Sequence, residues 1–293
     1  MTAALDDLIT LLDLEPIEVN MFRGLSPDED RQRVFGGQVA GQALVAAGRT
    51  VNEAAGGGEP EGPYRAVHSL HAYFLRPGDP NIPILYEVDR LRDGRSFTTR
   101  RVVAIQHGRA IFNLSASFKV SEEGVSHQSS MPDAADPEAL PTLQARMAPF
   151  ADQIGGWTDR PRPIDLRPVD APLRVVGATP RPPRQLVWFR ADGSLPDDPL
   201  LHACIVAYAS DMTLLDTTMF PHGMTFNGSS MASLDHAMWF HRPFRADDWL
   251  LYDQYSPTAA DARGLAVGTI YTREGHLVVS VVQEGLIRAA RRP

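Results

Sequence analysis

The chain carries the same order of segments twice, and this repetition limits the folds that it can adopt. A His-Ala dipeptide followed by an aromatic stretch and an Arg-Pro dipeptide occurs once in each half. The two histidines, His71 and His236, are 165 residues apart, and Gly108 and Gly275, in the last predicted hairpin of each half, are 167 residues apart. A nearly constant separation between such landmarks indicates an internal duplication. We therefore expect two similar domains.

The most apolar segment, residues 199–215, is predicted to form one helix. Asp198 can accept hydrogen bonds from the first free backbone amides, and Pro199 suits the first helical position. Because nearly every residue from 200 to 209 is apolar, the helix must be buried on all sides or enclosed by a sheet. At its far end Asp211 is a carboxylate in an apolar setting, which costs free energy unless it is paired, hydrogen-bonded or protonated. Asp211 is thus a candidate catalytic residue, with helix capping as the alternative interpretation.

The first half is predicted to contain two helices and several strands. A short amphipathic helix is predicted over residues 4–14, a strand over residues 17–22, an Ala- and Gly-rich helix over residues 34–51, and four strands over residues 64–76, 84–92, 96–106 and 110–119. Asp-Gly and His-Gly dipeptides separate the last three strands and are typical of hairpins. Gly36 and Gly37 fit a tight turn better than a phosphate-binding loop, because neither GxGxxG nor a P-loop lysine follows.

The second half repeats the pattern after a proline-rich stretch. Strands are predicted over residues 184–191, 232–242, 249–256, 263–271 and 277–288. Residues 121–183, with one possible short helix at residues 138–150, are interpreted as a linker. The predicted division is therefore residues 1–120 for the first domain, 121–183 for the linker and 184–293 for the second domain. Each domain should be a long helix wrapped by a curved antiparallel sheet, which is an α+β fold.

The composition excludes several classes of protein. The 293 residues are 43% hydrophobic with a net charge of −8, and no block of Lys or Arg occurs, so nucleic acid and anionic membranes are poor partners. No run of 18 apolar residues and no signal peptide is visible, so a cytoplasmic protein without a membrane span is expected. Cys204 is the only cysteine, which excludes a disulfide framework and a thiolate metal site. The motifs HExxH and GxSxG are absent, so neither a metal enzyme nor an α/β-hydrolase is implied.

Six segments resemble the acyl-CoA thioesterase II family, whose members have two hotdog domains in one chain. The segments are residues 34–44 (VFGGQVAGQAL), 68–79 (HSLHAYFLRPGD), 91–97 (LRDGRSF), 208–211 (YASD), 235–243 (DHAMWFHRP) and 282–285 (VQEG). They are spread over nearly the whole chain. The resemblance implies an α+β double-hotdog fold and an enzyme of fatty acid metabolism that hydrolyses fatty acyl-CoA to a free fatty acid and CoA. No cofactor and no metal are expected.

The resemblance also implies a catalytic site formed by Asp211, Ser233 and Gln283. The family commonly has Thr at the position of Ser233, so a hydroxyl is retained. In this scheme Asp211 takes a proton from water as general base, while the hydroxyl of Ser233 and the amide of Gln283 hold the water. A backbone amide near a helix start can stabilise the developing oxyanion. No residue becomes acylated.

Candidates for substrate binding are more dispersed along the chain. His71 is a possible acid–base group or substrate contact and is predicted to be equivalent to His236, although a histidine bonded to backbone beside the core is the alternative. Gly37, at a helix start, is a further candidate. Since CoA carries phosphates, basic residues should line the mouth of a groove. The candidates for this role are Arg76, Arg100, Arg242 and Arg263.

Two other functions stay open at this point. A double-hotdog enoyl-CoA hydratase uses an Asp followed five residues later by a His, whereas Asp211 is followed at that distance by Asp216. A noncatalytic acyl-CoA-binding protein would have a degenerate site, whereas all three site positions keep polar groups. Because single hotdog domains usually pair, we expect the chain to be a pseudo-dimer that associates further into a homodimer.

Overall fold

The structure is a computed structural model that describes residues 2–27, 32–52, 62–154, 161–170, 179–224 and 229–289. Within these ranges the α-helices are α1 (Ala3–Leu12), α2 (Gly36–Asn52), α3 (Leu143–Met147), α4 (Ala151–Ile154) and α5 (Pro199–Ser210). The strands are β1 (Glu15–Glu18), β2 (Met21–Gly24), β3 (Arg65–Phe74), β4 (Ile84–Asp93), β5 (Phe97–Gln106), β6 (Arg109–Val120), β7 (Ile164–Pro168), β8 (Arg184–Ala191), β9 (Ser229–Ser233), β10 (Asp235–Phe240), β11 (Leu250–Ala260), β12 (Arg263–Thr272) and β13 (Leu277–Ala289). None of the described helices is long and apolar enough to cross a membrane.

All of these strands belong to one antiparallel sheet. Its order is β1-β2-β4-β5-β6-β3-β10-β13-β12-β11-β8-β7, and β9 pairs with β13 outside this path. The two halves of the chain meet where β3 pairs with β10, with Ala237 opposite His71. The halves therefore share a continuous sheet, and a site built at their junction can draw residues from both.

The two long helices lie in the core on either side of this junction. α2 packs against β3, β4, β5 and β6 and also against α5, and residues 202–210 of α5 are all buried. The helices approach closely because small residues face the partner: a Cβ on Gly48 would lie 2.5 Å from the side chain of Leu200. Burial of a side chain such as Ile205 stabilises the arrangement by about 1.5–3 kcal/mol. Each half is thus a buried helix enclosed by antiparallel strands, the double-hotdog fold that was expected.

Local sequence signals at the helix start and at the hairpins are confirmed. Asp198 accepts a hydrogen bond from the amide of Leu200 at 2.9 Å, and Pro199 is the first residue of α5. The turn between β5 and β6 has positive φ at both His107 (51°) and Gly108 (69°), the conformation of a tight hairpin turn that matches the twist of the strands. These features depend on neighbouring residues only, which is why the sequence predicts them well.

Three predicted elements end earlier or are interrupted in the structure. The helix predicted to reach residue 215 ends at Ser210, and a 3-10 turn follows at Leu214–Thr218. The strand predicted over residues 232–242 is split into β9 and β10 at Leu234, whose amide donates to the carbonyl of Glu284 at 2.9 Å. The strand predicted over residues 17–22 is β1 and β2, which are joined by a turn at Asn20 with φ of 60°.

The stretch predicted as a linker contains regular structure. Its residues form α3, α4 and β7, a strand at the edge of the sheet that the sequence did not predict. Pro168 ends β7, and proline is tolerated at an edge because one side of the strand makes no ladder hydrogen bonds. Other residues of this stretch, Met131 and Leu140 among them, pack against Trp188 and Trp249. The stretch therefore covers the second half of the sheet as well as connecting the halves.

The pairing of strands corrects the predicted equivalence of the two histidines. Each residue of β10 corresponds to the residue of β3 that lies 166 positions earlier, the same separation as between Arg76 and Arg242. Each residue of β13 corresponds to the residue of β6 that lies 167 positions earlier. By this register His236 corresponds to Leu70, and His71 corresponds to Ala237, its direct partner across the junction. Successive residues of a strand face opposite sides of a sheet, so a difference of one residue places the histidines on opposite faces. His236 is buried and His71 is exposed.

Candidate active site

Asp211 lies at the junction of the two halves, where the end of α5 meets the start of α2. It is the residue directly after α5, and its backbone is still helical, with φ of −83° and ψ of −3°. The first turn of α2 approaches it so closely that a Cβ on Gly36 would lie 2.7 Å from Oδ2 of Asp211. The amide of Gly37 donates a hydrogen bond to the carboxylate. The positive end of the α2 dipole therefore faces this carboxylate and favours its charged form.

Two polar side chains from neighbouring strands complete the surroundings of Asp211. Oδ1 accepts a hydrogen bond from Nε2 of Gln283 at 2.6 Å and another from Oγ of Ser233 at 3.2 Å. Gln283 is on β13, and Ser233 is the last residue of β9, opposite Gly285 of β13. The structure thus brings together the three residues that the resemblance implies, from three separate segments of the chain.

The surroundings of Asp211 shift its pKa in two opposing ways. Burial raises the pKa, while the hydrogen bonds from Gln283, Ser233 and the amide of Gly37, together with the charge of Arg33, lower it. The net result is a pKa that is raised from 3.8 to about 6. Burial is the larger effect because removal of water penalises the charged form. A carboxyl with a pKa near 6 is ionised at neutral pH and is still basic enough to accept a proton, which suits a general base.

A cavity of about 500 Å³ opens onto Asp211 and Ser233. Most of its walls are apolar and come from both halves of the chain: Val34, Phe35, Val39, Phe74, Leu75, Ile111, Phe112, Met212, Leu215, Met231 and Leu234. Two cations, Arg33 and Arg76, also line it. Arg33 donates to the carbonyl of Met231 at 2.8 Å, and Arg76 donates to the carbonyl of Ala110 at 2.6 Å. The cavity therefore combines an apolar volume with a carboxylate and positive charge.

Some of the residues expected to bind substrate lie elsewhere. His71 is on the exposed face of the sheet, where its ring packs edge-on against Trp239 with the ring centres 5.2 Å apart. Arg242 lines a different cavity and donates to the carbonyl of Leu277 at 2.7 Å. Because Arg242 is the counterpart of Arg76 in the other half, the two arginines lie at opposite ends of the junction. Of these candidates only Gly37 and Arg76 are next to Asp211 or its cavity.

The remaining arginines serve structural contacts. Arg100 is 1% exposed and donates to Oγ1 of Thr50 at 2.9 Å and to Oδ1 of Asp93 at 2.6 Å. It therefore ties β5 to α2 and to the hairpin before it, and it is not at a groove mouth as expected. Arg263 forms surface ion pairs with Asp261 and Glu284. An exposed pair of this kind contributes little to stability.

The second cavity is larger, about 1090 Å³, and lies at the start of α5. It is the counterpart of the Asp211 cavity in the duplicated fold, but its chemistry differs. By the register of the strands, Leu70 stands in place of His236, and Ala116 stands in place of Gln283. The larger cavity is also lined by charged side chains, among them Glu138 and Asp247. We assign the candidate active site to the smaller cavity because it holds Asp211, a buried carboxylate that accepts hydrogen bonds from Ser233 and Gln283 and has a raised pKa.

Several contacts of this site were not predicted from the sequence. Arg33 was not among the candidates, although it comes shortly before the Gly36-Gly37 turn, and the predicted equivalence of His236 with His71 is wrong by one residue. The sequence signal for Arg33 is a cation three residues before a helix start. In the described part of the chain, no three His, Cys, Asp or Glu residues are grouped closely enough to hold a metal ion. Cys204 is a buried free thiol, as expected for a small core residue.

The chain is similar to known acyl-CoA thioesterases in sequence and in structure. Residues 168–286 match the family model described as acyl-CoA thioesterase, and residues 26–119 match the model of the acyl-CoA thioesterase N-terminal domain. The chain is 41% identical to human acyl-coenzyme A thioesterase 8, with 95% of this chain and 88% of the relative covered. It is 38% identical to acyl-CoA thioesterase 2 of Haemophilus influenzae, with 98% and 99% covered. A solved structure of acyl-CoA thioesterase II from Mycobacterium marinum matches with a TM-score of 0.77 and 45% identity, covering 97% of this chain and 99% of that one.

Proposed function

This chain belongs to the acyl-CoA thioesterase family and is a thioester hydrolase, and we propose that it hydrolyses fatty acyl-CoA by an attack of water that Asp211 activates. The observation that carries this mechanism is the carboxylate of Asp211, which faces an apolar cavity while Gln283 and Ser233 hold its Oδ1. Its pKa of about 6 suits a base at neutral pH.

In this mechanism Asp211 alone carries the proton, from the attacking water to the CoA thiolate. Asp211 accepts a proton from water as the water oxygen bonds to the thioester carbonyl carbon. The resulting tetrahedral oxyanion collapses, the carbon–sulfur bond breaks, and the CoA thiolate takes the proton from Asp211. The products are a free fatty acid and CoA, and Asp211 returns to its ionised form. Ser233 and Gln283 orient the carboxylate and the water, which reduces the entropy cost of the attack.

The start of α2 supports the negative charge that develops during this attack. Gly36 and Gly37 begin the helix, where backbone amides have no partner within the helix and the dipole is positive. The absence of side chains at these two positions lets the carboxylate of Asp211 and the ring of Phe35 approach the helix start. We place the thioester carbonyl against this turn, so that a backbone amide donates to the oxyanion.

The cavity walls suggest how the rest of the substrate is held. The apolar side chains, among them Phe35, Phe74 and Ile111, suit an acyl chain. Arg33 and Arg76 line the same cavity, and we assign them to the phosphates of CoA, since guanidinium groups bind phosphate in a bidentate manner. This assignment replaces Arg242, which lines the other cavity.

A release assay for free thiol, run over acyl-CoA substrates of increasing chain length, tests this function. We expect CoA to be released from the wild type and much less from the variant Asp211→Asn. Enoyl-CoA hydration would leave CoA attached, and it is disfavoured because Asp216, in a 3-10 turn, stands where a hydratase of this fold has His. Binding of acyl-CoA without thiol release would establish a noncatalytic protein instead.

We also propose an assembly, domain boundaries and a location for this chain. We propose a homodimer of this two-domain chain, because single hotdog domains usually pair, and a monomer by light scattering at micromolar concentration would contradict it. We keep the division at residues 120 and 183 as a proposal, although β7 shows that the middle stretch adds a strand to the sheet. A cytoplasmic location is proposed from the single buried cysteine and can be checked by cell fractionation.

A further inference from the structure

His236 lies beside the candidate site but has no role in the mechanism above. It is on β10, it is 1% exposed, and its Nε2 lies 2.8 Å from Oγ of Ser210, the residue that precedes Asp211. On its other side the ring lies next to the side chain of Gln283, whose amide favours the protonated ring. His236 is therefore packed between the segment that carries Asp211 and the glutamine that binds it.

The amide of Gln283 can be oriented in only one way against Asp211. A carboxylate accepts hydrogen bonds and donates none when ionised, so the NH₂ group of Gln283 must face Asp211, as observed at 2.6 Å. Oε1 of Gln283 then points away from Asp211. Among the described residues, this oxygen and Nδ1 of His236 are both buried, and neither has a hydrogen-bond partner. A buried polar atom without a partner is costly, and these two atoms belong to adjacent side chains.

The tautomer of His236 decides whether the two atoms attract or repel each other. If Nε2 carries the proton, it donates to Ser210, and Nδ1 presents a lone pair to the amide oxygen of Gln283. If Nδ1 carries the proton, it donates to that oxygen, and the hydroxyl of Ser210 donates to Nε2 in place of the carbonyl of Ala207, which lies 2.9 Å away in the same helix. Only the second arrangement satisfies both buried atoms. Burial lowers the pKa of His236 to about 4, so the ring is neutral at neutral pH and this choice applies.

We propose that His236 is a positioning residue that acts through Gln283: its Nδ1–H holds the amide oxygen and so keeps the NH₂ group on Asp211. The role rests on the proposed function, since it matters only if Gln283 supports the base. Without this contact the amide can rotate and present its oxygen to the carboxylate, which would repel the ionised form. The duplicated half supports the pairing, because both positions are apolar there: Leu70 replaces His236, and Ala116 replaces Gln283.

Two substitutions of similar size separate positioning from simple packing. In His236→Asn the side-chain amide keeps an N–H close to the place of Nδ1, whereas in His236→Gln the N–H reaches the place of Nε2, beside Ser210. We expect His236→Gln to lower kcat roughly tenfold with little change in KM, the lower end of the range for a supporting hydrogen bond. His236→Asn should restore most of kcat. If the two variants lose kcat equally at equal Tm, the proposal is wrong.

The wild-type protein offers a test that does not depend on folding of a variant. In protein labelled with nitrogen-15 in histidine, the spectrum shows which ring nitrogen of each neutral imidazole carries the proton, and the His236 signals are assigned by their loss in His236→Asn. We expect the proton on Nδ1. A proton on Nε2 would place a lone pair against Gln283 and would overturn the proposal.

A double-mutant cycle distinguishes failure of this inference from failure of the proposed function. If His236 acts through Gln283, then His236→Gln should lower kcat in the wild type but not in the Gln283→Ala background, because interacting residues are not additive. An equal loss in both backgrounds would refute the positioning role while the role of Gln283 stands. If Gln283→Ala alone leaves kcat unchanged, the proposed function of Gln283 fails, and the positioning role fails with it, whichever tautomer is found.

Discussion

Nε2 of Gln283 lies 2.6 Å from Oδ1 of Asp211, and the same oxygen also accepts the hydroxyl of Ser233. These neutral donors stabilise the ionised carboxylate and offset part of the desolvation that raises its pKa. Without them the pKa would rise further, and a smaller fraction of Asp211 would be ionised at neutral pH. The contact therefore sets how much of the base is available for catalysis.

Asp211→Asn should lower kcat for acyl-CoA by roughly 10²–10⁴-fold, the range for loss of a general base. Asn keeps the shape of the side chain and removes the proton acceptor, so the fold should persist. Thiol release and circular dichroism on the same preparation check this prediction. A folded variant with unchanged turnover would remove Asp211 from the mechanism.

The dependence of kcat/KM on pH should report the ionisation of Asp211. Because its pKa is raised to about 6, kcat/KM should fall about tenfold per pH unit below this value, as the base becomes protonated. The residual activity of Asp211→Asn should lack this inflection. Initial rates of thiol release at low substrate concentration measure the profile, and a wild-type profile that is flat through this region would contradict the assignment.

Asp211 should also affect stability in a pH-dependent way. Its pKa is raised on folding from 3.8 to about 6, so its contribution to stability is fully present below the unfolded value and is lost as pH rises through the folded value. As pH rises from about 4 to about 7, the free energy of unfolding of the wild type should therefore fall by about 1–3 kcal/mol relative to that of Asp211→Asn. Urea unfolding at both pH values measures this change. Asp7→Asn, at an exposed position of α1, is the control and should show no comparable change.

Ser233 should act by orientation and not as a nucleophile. It is the last residue of β9 and donates to Asp211, and it is not in a nucleophile elbow. Ser233→Thr should keep activity because the hydroxyl is retained, whereas Ser233→Ala should lower kcat roughly tenfold or more, since the water loses a partner. Mass spectrometry during turnover should show no acylated protein. An acyl adduct on Ser233 would make the enzyme a covalent hydrolase.

The absence of a side chain at Gly37 should be essential. A Cβ there would collide with the backbone oxygen of Tyr208 and lie 2.6 Å from the ring of Phe35, so Gly37→Ala should destabilise the protein by roughly 1–3 kcal/mol and reduce kcat, because overpacking shifts the backbone. Gly41→Ala is the matched control in the same helix. Its Cβ would lie 3.1 Å from a methyl group of Leu12 and 3.3 Å from the backbone oxygen of Cys204. Both distances are longer than those at Gly37, so thermal unfolding and activity should change less. Equal effects of the two substitutions would contradict this explanation.

Several elements of the fold could be predicted because their signals are local or periodic. The start of α5 follows from Asp198 and Pro199, and its complete burial follows from its apolar residues. The duplication was visible from repeated dipeptides, and Asp211 stood out as a carboxylate at the end of an apolar helix. The roles of Ser233 and Gln283 were not visible in this way, since a single hydroxyl or amide on a strand has no distinctive pattern. They came from the resemblance to a family.

The tertiary structure alone decided which residues meet. The Asp211 site joins the start of α2, the end of α5, β9 and β13, and no local pattern predicts contacts over such sequence separations. His71 and His236 show the same limit. A shift of one residue between the halves moves a side chain to the other face of a sheet, so the two histidines were predicted to be equivalent although one is exposed and the other is buried. Arg76 and Arg242 were equivalent in sequence, yet only Arg76 lines the cavity of Asp211. Sequence determined the elements and the duplication, because these depend on neighbouring residues. Register and helix packing decided the site, because they depend on contacts between distant ones.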